Sequence, residues 1–309
     1  MKTEVREYSV LSVIGNTPIA ELVNLNGNRK VRILAKLEGH NPGGSVKDRP
    51  AYYMIKKAEE SGELTRDKTI VEPTSGNMGI ALAMIGAAKG YRVKLFMPEC
   101  VSLERRSILE VFDAEVVLTP DKEGTDGAIR RAEQFVSEEP EKYYHPNQFE
   151  NPNNVLAHYE TTGPEVFDQT GAEIDVLVAG MGTTGTLMGA GRYLRERKPE
   201  VRIVGVEPTL GHAIQGLKNM NESIAPKVYR PEVLDEKLLV EDDEAFEMAR
   251  LLAVREGLFV GMSSGAAVIG ALRIAKDMKQ GTIVVVLPDR GDRYLSTTLF
   301  RSICARCPP

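Results

Sequence analysis

The segment from Asp175 to Arg197, DVLVAGMGTTGTLMGAGRYLRER, is the clearest indication of the fold. Its first part, Asp175–Ala179, is apolar on both faces, which is typical of a buried parallel strand. Its last part, Leu187–Arg197, has a helical pattern, and a loop rich in glycine and threonine joins the two. A strand that enters a helix in this way is the repeating unit of an α/β sheet, whose ligands lie beyond the carboxyl ends of the strands.

The same alternation extends through most of the 309 residues. The strand candidates are rich in Val, Ile and Leu: Val31–Leu37, Thr69–Glu72, Val93–Met97, Glu115–Leu118, Asp175–Ala179, Arg202–Glu207 and Thr282–Leu287. The helix candidates lie between them: Pro50–Ser61, Met78–Lys89, Leu103–Phe112, Thr125–Glu138, Asn153–Gln169, Leu187–Arg197, Asp243–Glu256 and Gly265–Lys279. We therefore predict an open, mostly parallel α/β sheet, and the length suggests about two domains.

Composition excludes several classes of function. Hydrophobic residues at 42% allow a sizeable core, and a net charge of −5 with scattered Lys and Arg does not indicate a nucleic-acid partner. No run approaches the ~20 apolar residues of a membrane helix, and the N-terminus, MKTEVREYSV, lacks a signal-peptide core. We expect a cytoplasmic protein with no membrane partner. The three cysteines give no disulfide framework, and the four histidines are too far apart in sequence to indicate a catalytic metal site.

The loop Gly180–Thr186 has the composition of a phosphate site. Its glycines let backbone N–H groups turn toward an anion, and the following helix N-terminus adds roughly half a positive charge. It also matches G-x-G-x-x-G, with Glu207 near the place of an acidic ribose ligand. On these residues alone, a dinucleotide and another phosphate ligand stay equally open.

The segment Gly261–Gly265 fits G-x-S-x-G, the nucleophile elbow of α/β hydrolases. That fold needs a histidine after the serine, but the last histidine of the chain is His212, well before Ser263. A hydrolase triad in that order is impossible. Ser263 is then a hydrogen-bonding group or, more simply, a helix N-cap.

Two further loops precede helices. In Pro73–Met78, the side chains of Thr74, Ser75 and Asn77 could surround an anion at a helix N-terminus, whereas capping would use only one of them. The segment Asn41–Pro50 contains Lys47. A lone loop lysine is usually a solvated charge, so its importance depends on the motifs around it.

Together these loops resemble the cysteine synthase family, the β-substituting group of pyridoxal-phosphate enzymes of the tryptophan synthase fold type. Seven motifs carry the resemblance, in this order: Ile14–Pro18, Asn41–Arg49, Thr74–Asn77, Asn147–Phe149, Gly182–Thr186, Gly261–Gly265 and Leu295–Thr297. They span nearly the whole chain, and the ordered set is far more specific than any one motif. The resemblance therefore overrides the dinucleotide interpretation of the Gly180 loop.

The resemblance implies a tryptophan synthase β-like fold, with two open, mostly parallel α/β lobes and the cofactor between them. Residues 41–145 would form a smaller mobile domain, and residues 1–40 with 146–309 the larger, cofactor-binding one. It also implies a homodimer.

The resemblance also implies roles for single residues. Lys47 would form the Schiff base with pyridoxal 5'-phosphate, Asn77 would contact its ring hydroxyl, and Ser263 would face its ring nitrogen. The cofactor phosphate would be bound by Gly182, Thr183, Thr184, Gly185 and Thr186. The substrate carboxylate would be bound by Thr74, Ser75, Met78 and Gln148. The family usually has threonine at position 78, and a thioether cannot donate a hydrogen bond, so Met78 would have to use its backbone N–H.

The implied reaction is β-replacement on O-acetylserine or O-phosphoserine by sulfide, giving L-cysteine, with Lys47 as general base. A neutral Ser263 at the ring nitrogen would favour β-elimination over transamination or racemisation. Alternatives within the fold are a cystathionine β-synthase-like enzyme, a diaminopropionate synthase-like enzyme and a serine/threonine dehydratase. Alternatives of another class are a regulatory binder that keeps the cofactor and, from the Gly180 loop alone, a nicotinamide dehydrogenase.

Two features concern specificity and regulation. Gly216–Glu222 resembles the stretch of phosphoserine-using cysteine synthases in which an arginine, here Lys218, contacts the substrate phosphate. The alternative is a solvated Lys218 on a helix surface. Cys304 and Cys307 form a C-x-x-C near the terminus, for which a mobile tail is the simpler interpretation and a redox or metal role the alternative.

Overall fold

The computed structural model of the chain describes residues 9–74, 76–222 and 224–300. Ser75, Cys304 and Cys307, which figure in the sequence predictions, lie outside the described residues.

Strands and helices alternate along the described part of the chain. The strands are β1 (Ile19–Glu21), β2 (Val31–Leu37), β3 (Thr69–Pro73), β4 (Val93–Pro98), β5 (Glu115–Thr119), β6 (Tyr143–Tyr144), β7 (Val176–Gly180), β8 (Arg202–Pro208), β9 (Glu236–Val240) and β10 (Gly281–Leu287). The α-helices are α1 (Asp48–Ser61), α2 (Asn77–Lys89), α3 (Leu103–Val111), α4 (Gly124–Glu138), α5 (Pro152–Ala157), α6 (Gly163–Gln169), α7 (Gly185–Arg197), α8 (Asp242–Leu251) and α9 (Met262–Asp277). A π-helical turn, His158–Thr162, joins α5 to α6, and a second one, Leu252–Glu256, extends α8.

The larger sheet has six strands in the order β1-β2-β10-β7-β8-β9. Only β1 is antiparallel to its neighbour, and the other adjacent pairs are parallel. Alternate residues of β10 enter two different cores: Ile283 and Val285 pack with residues of α8 and α9, whereas Val284 packs with residues of α7. Burial on both faces explains why this strand is apolar without interruption.

The smaller sheet has four parallel strands in the order β5-β4-β3-β6. Helix α2 is buried along most of its length, since Met78 through Gly86 are all shielded from solvent. A helix that is apolar all round belongs in a core. The small residues of this helix allow close contact: a Cβ added to Gly86 would lie 2.4 Å from the Val93 side chain.

The α/β prediction is confirmed, and each predicted strand and helix has a counterpart in the described residues. The largest shift in a boundary is at α9, which begins at Met262 rather than Gly265. The strands β1, β6 and β9 were not predicted. The first two are very short, and β9 is an edge strand whose side chains alternate between exposed and half-buried, so none of them has the apolar run of a buried strand.

The topology brings the predicted loops together. Strands β3 and β7 end at the Thr74 loop and the Gly180 loop, and α9 begins beside them. Across the described ranges, no helix is long and apolar enough to cross a membrane.

Candidate active site

A cleft opens where loops from both sheets meet. All the predicted site residues in the described part of the chain line it: Lys47, Thr74, Asn77, Met78, Gln148, Gly182, Thr183, Thr184, Gly185, Thr186, Lys218 and Ser263. The cleft is also lined by Phe149, the last residue of the motif Asn147–Phe149, and by Arg105, which the sequence did not single out. The lining residues in the described ranges include no aspartate or glutamate.

Lys47 directly precedes α1, with its Nζ 3.4 Å from Thr183 Oγ1. Its backbone is fixed by the Val46 N–H, which donates to the Pro288 carbonyl at 2.8 Å, and by the Lys47 N–H, which donates to Ser45 Oγ at 3.2 Å. Burial of the amine lowers the pKa of Lys47 to about 8. A substantial fraction of this lysine is therefore neutral and nucleophilic near physiological pH.

Arg49 holds the start of α1 in place. Its guanidinium donates to Glu38 at 2.7 Å and to Glu165 at 2.6 Å, and Glu165 also accepts from the buried Lys36 at 2.7 Å. Burial alone would raise the pKa of Glu38, but the Arg49 charge and hydrogen bonds hold that pKa at about 2. This buried network anchors the chain two residues after Lys47. The signal in the sequence that could have revealed this network is the presence of two charged residues, Lys36 and Glu38, at the end of an apolar strand.

The Gly182–Thr186 loop ends in the first turn of α7. Thr184 has a left-handed φ of 68°, and its buried Oγ1 has no hydrogen-bond partner among the described residues. A Cβ on Gly182 would lie 2.5 Å from the Gly216 carbonyl oxygen, so only glycine fits there. A helix N-terminus with an unpaired buried hydroxyl fits an anionic group such as the phosphate of pyridoxal phosphate.

Two residues that were not predicted from the sequence form hydrogen bonds with this loop. The Asn154 amide donates to Thr183 Oγ1 at 3.0 Å and to the Gln148 carbonyl at 2.7 Å. His158 lies between Thr162 (2.8 Å) and Thr186 (3.3 Å), and burial lowers its pKa to about 3, so it is neutral there. Their positions on α5 and the following π turn gave no sequence signal.

Ser263 lies in the first turn of α9, after Gly261, which is the residue at the N-cap. The N-cap interpretation of Ser263 is therefore wrong, because the helix begins three residues earlier than predicted. The side chain is buried and lines the cleft. It offers the site a neutral hydroxyl.

The Thr74 loop and Gln148 form the other wall of the cleft. Thr74 Oγ1 accepts from the N–H groups of Gly76 at 3.0 Å and Gly79 at 3.3 Å, so its own hydroxyl proton stays available. The Met78 side chain is packed in the core of the smaller sheet. Any contact between Met78 and a ligand must therefore use its backbone. Glu72, another missed residue, accepts from the Gln148 N–H at 3.1 Å.

Lys218 is neither helical nor solvated, so the surface-helix alternative is wrong. It lies in the loop after β8 and is only 9% exposed. Its Nζ is 3.3 Å from Asp126 Oδ1 and 4.8 Å from the centroid of the Phe149 ring. The cation thus faces the cleft beside one acidic neighbour.

Comparison with known proteins gives one family. The family described as "Pyridoxal-phosphate dependent enzyme" matches residues 10–289. Cysteine synthase B of Escherichia coli (strain K12) is 45% identical over 287 residues, which are 93% of this chain and 94% of that protein.

Solved structures agree with this assignment. The cysteine synthase of Entamoeba histolytica is 38% identical with a TM-score of 0.90, covering 97% of this chain and 92% of that one. The O-acetylserine dependent cystathionine β-synthase of Helicobacter pylori is 36% identical, also with a TM-score of 0.90, covering 96% of this chain and 100% of that one.

Proposed function

Since the chain belongs to the family of pyridoxal-phosphate dependent enzymes, with the tryptophan synthase β-like fold, we propose that it is a cysteine synthase. It replaces the leaving group at Cβ of O-acetylserine or O-phosphoserine with sulfide and forms L-cysteine. One observation carries the proposal: a lysine amine, an anion-binding helix N-terminus and a neutral serine line the same cleft.

Pyridoxal 5'-phosphate supplies the electron sink that allows the Cα proton and the Cβ leaving group to depart. Lys47 is the residue proposed to hold it covalently. Its phosphate is assigned to the Gly182–Thr186 loop, where Thr184 Oγ1 is buried and unpaired among the described residues. Asn77 and Ser263 are assigned to the ring hydroxyl and the ring nitrogen. With a hydroxyl rather than a carboxylate at the nitrogen, the site favours β-elimination.

Lys47 also moves the proton. Its amine, with a pKa lowered to about 8 by burial, is a competent base near neutral pH. We assign to it the removal of the proton from the substrate Cα and its return after sulfide has added to Cβ. The hydrogen bond of its backbone N–H to Ser45 and the Arg49 network hold the backbone from which this side chain reaches the cleft.

The substrate carboxylate is assigned to Thr74, Ser75, the Met78 N–H and Gln148. The described residues among them lie at the start of α2 or face it across the cleft, and a helix N-terminus favours a carboxylate. Residues 41–145 are proposed as a smaller domain whose Thr74–Met78 loop closes over the bound substrate. Superimposable free and substrate-bound structures would contradict closure.

A second candidate is cystathionine β-synthase-like replacement, favoured by the likeness to the Helicobacter pylori enzyme. One assay separates these functions and the leaving groups: turnover of O-acetylserine and O-phosphoserine, each with sulfide and with homocysteine in parallel. Cysteine formation with sulfide supports the main proposal, whereas turnover with homocysteine alone supports the second. We further propose that the protein is cytoplasmic and forms a homodimer; light scattering on the purified protein tests the homodimer.

A further inference from the structure

Asp289 is a buried carboxylate that no sequence motif singled out. It is 1% exposed and lies just after β10, where its backbone bridges to Ser45 in the loop that carries Lys47. A Cβ on Gly261, which precedes the helix of Ser263, would lie 2.2 Å from Asp289 Oδ1. Asp289 also contacts Asn77, as described next. It therefore touches three segments assigned to the cofactor, which are the loops that carry Lys47 and Asn77 and the start of the helix that carries Ser263.

That contact fixes the orientation of the Asn77 amide. Asn77 Nδ2 donates to Asp289 Oδ2 at 2.6 Å, and Asn77 Oδ1 accepts from Arg293 Nη1 at 2.7 Å. A guanidinium can only donate, and an ionised carboxylate can only accept. A flipped amide would place oxygen against oxygen and N–H against N–H, so only one orientation satisfies both neighbours.

The consequence concerns the side of Asn77 that faces the cleft. Nδ2 carries two N–H groups, and only one is used by Asp289. The second has no acceptor among the described residues, and Asn77 lines the cleft. In the orientation that Asp289 and Arg293 impose together, the amide therefore presents a donor to the cleft and keeps its carbonyl oxygen on Arg293.

We propose that Asp289 is a positioning residue that makes Asn77 a hydrogen-bond donor to the ring hydroxyl oxygen of the cofactor. This inference rests on the proposed function, because that function assigns the ring hydroxyl to Asn77. Asn77 begins α2 beside the smaller sheet, whereas Asp289 follows a strand of the larger one. The contact thus sets both the direction of the amide and its place between the two sheets.

The chain offers a matched control. Tyr294 donates to the same oxygen, Asp289 Oδ2, also at 2.6 Å, but among the described residues no hydrogen bond joins Tyr294 to Asn77. Tyr294→Phe removes one hydrogen bond from Asp289 and keeps the ring that packs under Arg105, 4.6 Å from its guanidinium. A purely structural role for Asp289 predicts similar effects of the two changes on the cofactor, whereas a positioning role does not.

The test measures the cofactor dissociation constant and the visible absorbance of the holoenzyme for wild type, Asp289→Ala, Asn77→Ala, the double variant and Tyr294→Phe. We expect Asp289→Ala and Asn77→Ala each to weaken cofactor binding by roughly tenfold or less, the scale of one net hydrogen bond. The double variant should match Asn77→Ala, because Asp289 acts through Asn77. Tyr294→Phe should bind the cofactor like wild type. Far-ultraviolet circular dichroism confirms that each variant is folded, and Asp289→Leu, which likewise has no acceptor for Asn77, replaces Asp289→Ala if the latter is not.

Two results overturn the inference while leaving the proposed function intact: additive losses in the double variant, or equal losses in Asp289→Ala and Tyr294→Phe. Unchanged binding and absorbance in a folded Asp289 variant also overturn it. If wild type itself acquires no visible absorbance with pyridoxal phosphate, the proposed function fails instead.

Discussion

Replacing Lys218 with alanine should lower kcat/KM for O-phosphoserine about tenfold and leave that for O-acetylserine nearly unchanged. A charge-assisted hydrogen bond contributes about 1.5–3 kcal/mol, which corresponds to roughly ten- to 150-fold. We expect the lower end because Asp126 Oδ1, 3.3 Å from Nζ, already shares the charge. Lysine also lacks the bidentate fork of arginine, so O-acetylserine should still be accepted.

Asp126 permits the opposite change. Asp126→Asn removes a negative charge that competes with the substrate phosphate for Lys218. The same charge also repels the phosphate. Two charges about 4 Å apart interact by about 1 kcal/mol in water, so kcat/KM for O-phosphoserine should rise by up to about fivefold. Raised ionic strength should shrink this gain.

The assay is initial-rate cysteine formation from each ester at saturating sulfide, with kcat/KM read as a transition-state free energy. Lys227→Ala is the matched control, since Lys227 pairs with Glu150 and is not among the residues that line the cleft. Equal losses for both esters in Lys218→Ala, or no loss for either, would refute the phosphate contact. A lower rate with O-phosphoserine in Asp126→Asn would refute the role given to Asp126.

Two further predictions follow from the buried charges. The rate at which cofactor-free enzyme captures pyridoxal phosphate should rise as the pH passes through about 8, because only the neutral amine of Lys47 reacts and burial has lowered its pKa from 10.5. Stopped-flow absorbance measures this rate. A rate that reaches half of its maximum only near pH 10 would contradict the prediction. Arg49→Ala should lower the free energy of unfolding by about 3–5 kcal/mol, since it leaves Glu38 buried without the cation it pairs with. Urea unfolding measures the loss, and Arg32→Ala, which breaks an exposed pair with Glu21, should cost under about 1 kcal/mol.

The sequence predicted the fold because buried parallel strands have an unmistakable pattern. β10 and β7 are apolar on both faces, and each enters two cores. β9 was missed because an edge strand alternates in exposure, and the strands β1 and β6 because they are too short to show a pattern.

The cleft was predictable where a loop carries its chemistry in consecutive residues, as in Gly182–Thr186. It was not predictable where a distant side chain supports that loop. Asn154, His158 and Asp289 are brought to the site only by tertiary packing, and nothing in their local sequence announces a role. Lys218 was predictable from its own motif, which indicated a cation near the substrate. Its partner Asp126 lies on α4, far away in sequence, and only the structure shows that the two are in contact.

The Lys47→Ala variant tests whether Lys47 holds the cofactor, with visible absorbance and the mass after borohydride reduction as the measurements. Wild type incubated with pyridoxal phosphate should be yellow, gain the mass of one reduced cofactor on the peptide that contains Lys47, and form cysteine from an activated serine and sulfide. The variant should remain folded, show no such absorbance or mass gain, and form no cysteine. An unchanged spectrum and mass gain in Lys47→Ala would show that another residue holds the cofactor and would contradict the role proposed for Lys47.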